Sequence, residues 1–329
     1  MGKQAFDKKI EAVESLRLTL ESPARTGQLR KALKERNNFL VSKAAAVAAH
    51  LGEVRLIPDL VAAFDRFLAD SLKSDPQCWA KNAIAKALKD LEYKESGVFL
   101  RGIVHVQLEP VWGGRQDSAA VLRGTCALAL VGCRMDDIEV LGHIGDLLAD
   151  PEKPARIDAA RAIAQLGRAE GVPLLRLKAL CGDSEPEVSG ECFVALLSLN
   201  AAQSVPFIAR FLQSPDVDTR LEALGALGQS AEPEALEALK SFWLRLADPE
   251  VRRALPLSLA ASPLPEAAEF VLSILEGASE LVAESAIVAL ARSRFRADMS
   301  DRTAAFVKAR GNSHLKKIFE SEFGLSNGS

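Results

Sequence analysis

The side chains best suited to bind a metal or attack a substrate are scattered. The four histidines are His50, His105, His143 and His314, and the five cysteines are Cys78, Cys126, Cys133, Cys181 and Cys192. No histidine lies in an HExxH pair, no two cysteines form CxxC, and Cys126 and Cys133 stand seven residues apart, so zinc-ligand spacing is absent. No GxSxG nucleophile turn or phosphate-binding P-loop occurs. Leu141-Gly142-His143-Ile144-Gly145 places two glycines in a helical pattern, as close helix packing requires, and does not form a phosphate cradle. An odd number of cysteines inside helical patterns implies free, buried thiols in a reducing, cytoplasmic compartment. No catalytic residue, metal or cofactor is therefore expected.

Binding chemistry has better candidates. Glu109-Pro110-Val111-Trp112-Gly113-Gly114-Arg115-Gln116-Asp117 is rich in turn formers and reads as a loop. Trp112 and Arg115 within it are of the types that anchor protein interfaces. Either this insertion contacts a partner, or Trp112 folds back to plug a gap between neighbouring units. Positive charge gathers at both ends of the chain. Arg25, Arg30, Lys31, Lys34 and Arg36 form one group, against Glu35. Arg292, Arg294 and Arg296 open the other, continued by Arg302, Lys308, Arg310, Lys316 and Lys317. These groups would either steer a polyanion or acidic partner, or serve as solvent-facing caps.

The elements that must position these residues are helices. The 329 residues are 48% hydrophobic, chiefly Ala and Leu, and 26% charged, with a formal net charge of −3. That balance offers no bulk positive footprint for duplex DNA. The first twenty residues are interrupted by charges and contain no signal-peptide core, and no run of 18 apolar residues predicts a membrane span. One pattern recurs: a turn with Asp or Pro, an apolar anchor often followed by Arg or Lys, then small residues four, five and seven places on. Its anchors are Leu40, Ala80, Leu122, Ala155, Val188, Thr219, Val251 and Val282, spaced by 40, 42, 33, 33, 31, 32 and 31 residues. Each anchored segment has the period of an amphipathic helix, and a second apolar helix follows each one. Asp75-Pro76, Asp150-Pro151, Ser214-Pro215 and Asp248-Pro249 open turns whose Asp or Ser can accept from the next helix's orphan N–H groups. Small residues at fixed places let backbones approach, and a helix pair buries both faces only when neighbours stack on it.

ARIDAARAIAQLG, TRLEALGALG and VRRALPLSLA resemble the second helix of bacterial HEAT-like repeats of the short type also seen in phycobilisome-lyase-like proteins. Asp150 with Arg156 and Asp248 with Arg252 fit the resemblance, whereas Ser189 stands where Asp183 would have its Arg. The resemblance implies an all-α, right-handed solenoid of about eight helical hairpins. It would comprise a helical cap over residues 1–37, repeats over 38–292 with the insertion at about 109–117, and a helical cap with a short tail over 293–329. It also implies that second helices line a concave face. Leu128, Arg161 and Val194 would then face a partner there, or Leu128 and Val194 would touch the adjacent repeat. Relatives of this type include adapters, chromophore lyases, a DNA glycosylase and di-iron hydroxylases, and the scattered histidines lack the His-Glu pairs of the last. The expected function is a non-catalytic scaffold or adapter for an unidentified protein or peptide, with no membrane partner. Nucleic-acid binding in the manner of the glycosylases and a chromophore-lyase-like role are the alternatives.

Overall fold

A computed structural model describes residues 3–324. The chain divides into two compact units, Met1–Leu174 and Leu175–Ser329. In the first unit the helices are α1 (Lys3–Ser15), α2 (Pro23–Leu33), α3 (Asn38–His50), α4 (Ile57–Ala69), the single turn α5 (Ser71–Ser74), α6 (Trp79–Asp90) and α7 (Gly97–Ile103). A two-stranded hairpin, β1 (Leu108–Val111) and β2 (Gly114–Asp117), precedes α8 (Ala120–Leu130), α9 (Asp137–Leu147) and α10 (Lys153–Leu166). Helix α11 (Gly171–Cys181) contains the division. The second unit continues with α12 (Pro186–Ala209), α13 (Val217–Gln229), α14 (Pro233–Arg245), α15 (Pro249–Ser258), α16 (Pro265–Gly277), α17 (Glu280–Arg292), α18 (Arg296–Arg310) and α19 (Ser313–Phe323).

Every anchored segment is a helix, and within each unit these helices lie side by side. Helix α3 packs on α6, α6 on α8 and α8 on α10; in the second unit α12 packs on α13, α13 on α15 and α15 on α17. The chain is an all-α solenoid. The small positions account for the stacking: Ala44 and Ala45, Ala85 and Ala87, Cys126 and Ala127, Ala159 and Ala160, Ala223 and Ala226, and Ala286 and Ala289 are all buried. Two of the turn acids cap as their positions predict: Asp75 accepts from the amides of Ala80 and Lys81, and Asp248 from those of Glu250 and Val251. Asp150 does not cap α10; it accepts from the amide of Glu152, within the turn that precedes the helix.

Pro186–Gln213 is apolar and long enough to cross a membrane by length and composition. It does not form one straight helix, because the backbone leaves helical geometry at Asn200 (φ −160°, ψ 87°). The two halves belong to successive helix pairs and fold together, with the Phe193 and Phe211 rings 4.7 Å apart.

The wide spacing of the first anchors comes from two insertions. One is α5 with the 3₁₀ turn Pro76–Cys78, and the other is the hairpin. In that turn Gln77 and Cys78 hold left-handed φ values of 60° and 55°, a conformation that costs side-chain-bearing residues energy unless surrounding bonds enforce it.

Close backbone approach makes one position intolerant. A Cβ on Gly228 of α13 would lie 2.5 Å from the Ser258 carbonyl oxygen at the end of α15. Gly228→Ala is expected to destabilise the protein by about 1–3 kcal/mol through overpacking, measured as a lower urea midpoint. A neutral substitution would show that α13 and α15 can move apart freely.

Candidate functional site

The stretch 109–117 was expected to be a loop and is part of an antiparallel hairpin. Leu108 pairs with Asp117, Glu109 with Gln116, Pro110 with Arg115 and Val111 with Gly114, leaving Trp112 and Gly113 as a two-residue turn. Gly113 has φ +89°, which glycine adopts without the penalty a side chain would bring. Strands of four residues containing Pro and Gly carry little strand signal, and pairing across the turn supplies what propensity does not. Trp112 does not fold back: its relative exposure is 103%.

The hairpin is fixed at its base by a buried polar network. Asp75 and Lys81 are fully buried and ion-paired at 2.9 Å, and Gln107 and Arg123 are almost fully buried. The Asp75 carboxylate accepts from Asn38 Nδ2 as well as from Lys81 Nζ and the two amides that it caps. Gln107 Nε2 donates to the Asp75 carbonyl at 2.8 Å and to Glu109 Oε1 at 2.7 Å. Glu109 Oε1 also accepts from Ser118 Oγ and from the amide of Gln77, both at 2.6 Å, which secures the left-handed turn. Asp117 Oδ1 accepts from the amides of Gln107 and Ala119, both at 2.9 Å. Arg123 joins the parts. Its Nη1 donates to Asp117 at 2.6 Å and to the His105 carbonyl at 2.9 Å, while Nε and Nη2 grip Asp150 at 2.6 and 2.8 Å.

Electrostatics follow from this wiring. Burial pushes the Asp117 carboxyl upward, but the Gln107 and Ala119 amides and the Arg123 guanidinium outweigh it and hold the group below its ordinary range. Burial likewise raises Glu109, and its Ser118, Gln107 and Gln77 donors reverse the sign. Burial holds the His105 imidazole below its ordinary value despite its contact with Gln107. Burial pushes the Cys78 thiol beneath the network up to about 12.

Arg123 illustrates a device used twice more. The turn acid of one helix pair is taken by a residue early in the preceding pair's second helix: Arg123 to Asp150, Arg220 to Asp248 at 2.8 Å, and Asn38 to Asp75 at 2.9 Å. Arg156 and Arg252, which match the resemblance beside Asp150 and Asp248, donate to backbone carbonyls of the preceding turn, Asp150 and Pro151 in one case and Leu246 in the other. Lys178 reaches Asp183 at 2.7 Å.

Of the residues singled out by sequence, the structure brings Trp112 and Arg115 together, both exposed on the hairpin. Leu128 is half-buried on α8 and Arg161 exposed on α10, at equivalent places in successive second helices; Val194, on α12, is 43% exposed in the second unit. Some of the terminal cations are engaged and others are exposed. Arg25 is buried against Glu53 at 2.7 Å, so it belongs to the core and not to a surface patch. Arg30 pairs with Asp59, while Lys31 and Lys34 are exposed. Arg292 lies 4.0 Å from Glu322, Arg296 sits over the Phe323 ring, and Arg294 is exposed. Arg302 pairs with Glu269, and Arg310 donates to the carbonyls of Leu275 and Ala278.

Sequence reasoning missed Asp75, Lys81, Gln107 and Arg123 as a group. The signal available was the basic residue directly after the anchor, present in both Lys81 and Arg123.

Beside the hairpin stem lies a cleft of about 420 Å³. Ile103, Val104, Val106 and Leu108 form one wall, and His143, Asp146, Leu147 and the turn 150–152 form the other.

The HEAT-repeat family profile matches residues 204–291. No curated protein sequence matches the chain. Solved structures similar to it include the Escherichia coli YibA protein, at 18% identity and TM-score 0.46 over 87% of this chain and 97% of that one. The CpcE–CpcF complex of phycocyanin lyase from Nostoc sp. is similar at 19% identity and TM-score 0.38, covering 79% and 94%. Human deoxyhypusine hydroxylase is similar at 19% identity and TM-score 0.30, covering 88% and 91%. Residues 204–291 are thus HEAT-like repeats, in an all-α solenoid whose first unit carries a clamped β-hairpin.

Two outcomes test the clamp. Arg123→Ala leaves Asp117 and Asp150 without their shared cation and is expected to cost about 3–5 kcal/mol, read as a fall in the urea midpoint. The shifts of Asp117, Glu109 and His105 share one sign, because in each case the unfolded chain binds protons more readily. Stability should decline gently below about pH 6.5 through His105 and steeply below about pH 4 through Asp117 and Glu109. His105→Gln should remove the gentle decline alone, and persistence of that decline would contradict the assignment.

Proposed function

We propose that this protein is a non-catalytic scaffold that binds a protein partner through the Trp112 hairpin of its first unit. The observation that carries this reading is a fully exposed tryptophan on a hairpin whose stem is held by buried ion pairs and hydrogen bonds. An exposed large aromatic ring gains nothing for the free fold. Held rigid, it loses little conformational freedom on binding, which favours affinity. Val104, Val106, Leu108 and Val111 continue the exposed apolar surface along the stem, at 44–70% exposure, and Arg115 stands beside the tip. In this reading the remaining helix pairs are the support. The helices before residue 38 and after residue 292 close the ends of the stack, and the free thiols suit the cytoplasm. The basic ends offer a polyanion less charge than the sequence suggests, because Arg25, Arg30, Arg302 and Arg310 are spent on acids and helix-end carbonyls.

Trp112→Ala tests this reading directly. Its stability should stay within about 0.5 kcal/mol of wild type, as for a surface change that touches nothing. Tagged protein incubated with native lysate should retain a nuclease-resistant protein that the variant loses, as identified by mass spectrometry. Capture that survives Trp112→Ala, or that vanishes with nuclease, would contradict the proposal.

A further inference from the structure

We propose that the cleft beside the hairpin stem receives a basic segment of the partner, with an aliphatic side chain against Val104, Val106 and Leu108 and a Lys or Arg head between Asp146 and Glu152. This rests on the reading of the hairpin as the partner-binding element and names the chemistry of what it binds.

Charge selects the occupant. The cleft is lined by four carboxylates, Asp117, Asp146, Asp150 and Glu152, against one guanidinium, that of Arg123. Arg123 is already shared by Asp117 and Asp150. Among the described residues, no ion pair involves Asp146 or Glu152. Asp146 is exposed near the end of α9. Glu152 occupies the N-cap position of α10, yet its side chain makes no capping bond. Arg156, behind this turn, directs Nη1 to the carbonyls of Asp150 and Pro151. An added cation would thus meet uncompensated negative charge, and an anion would be repelled.

Shape and polarity select the rest. Val104 is 70% exposed and Val106 56%, so the facing wall is apolar and open. The volume of about 420 Å³ is at the small end of the ~300–1,000 Å³ typical of ligand pockets, enough for a few side chains and too small for a helix. Leu108 to Trp112 spans four residues of strand, about 13 Å at strand rise. A segment of a few residues in extended form can therefore fill the cleft and still reach the tip. A long basic side chain suits such a site because its stem packs on apolar surface while its head stays with the acids.

The test uses the full chain and fluorescein-labelled ten-residue peptides that alternate Leu with Lys, Ser or Glu, read by fluorescence anisotropy. The Lys peptide should bind more tightly than the other two and weaken as salt rises. Asp146→Asn/Glu152→Gln should weaken it about tenfold, the scale of two partly exposed ion pairs acting together. Asp298→Asn/Asp301→Asn removes the same charge from the second unit and should leave binding within about twofold, well under the 1.4 kcal/mol of a tenfold change. Should the double cleft variant lose its wild-type thermal midpoint, Asp146→Asn alone, on the exposed side of α9, carries the comparison. Equal binding of the three peptides, or equal loss in the two double variants, overturns the proposal. Absence of peptide binding while Trp112-dependent capture persists overturns the cleft assignment and leaves the hairpin reading standing. Absence of both removes both.

Discussion

One guanidinium holds the candidate site together. Arg123 is buried on α8 and bonds the end of β2, the segment leaving α7 and the turn before α10. A buried cation is tolerable only when its donors are met by acceptors in good geometry, and here Asp117, Asp150 and the His105 carbonyl meet them. Its neighbour Lys81 faces the same constraint and is answered by Asp75. Asp75 and Asp150 sit in turns between helices, and Asp117 ends β2. The positions of those turns, and with them the stem of the hairpin, are set by where charge must be neutralised in the interior.

The rest of the solenoid is governed by apolar packing of a repetitive kind. Second helices approach closely because Ala, Cys or Gly occupies the contact positions. At Gly124 and Gly190 the neighbouring helix even lays a carboxylate side chain, Asp158 or Glu222, where a Cβ would otherwise be. Such a stack is regular and gives no place to an exposed tryptophan. The hairpin departs from it by inserting between the two helices of one pair, and the buried polar network is what joins that insertion to the stack.

This division explains what could be read from the chain. The anchored helices were legible because their small and apolar residues repeat with one register from Leu40 to Val282, and periodicity survives without knowledge of tertiary contacts. The capping acids were legible for the same local reason. The strand pairing was not, since Leu108–Asp117 is short, contains Pro110 and has a register fixed by contacts at its base. Nor was the network, because Asn38, Asp75, Gln107 and Arg123 are far apart in sequence and meet only when α3, α6 and α8 are stacked. Arg25 misled for a related reason: it lies among surface cations in sequence, while its partner Glu53 is twenty-eight residues away.

The claim on which this account depends is that the hairpin is a rigid, pre-formed element and not a mobile insertion. Hydrogen–deuterium exchange across residues 105–119 of the free protein measures that directly. The amides of Gln107 and Ala119, bonded to the Asp117 carboxylate, and those of the paired strands should exchange slowly in the wild type and much faster in Arg123→Ala under conditions where α3 and α6 remain protected. Exchange of the whole 105–119 stretch at unfolded-chain rates in the wild type would contradict the account.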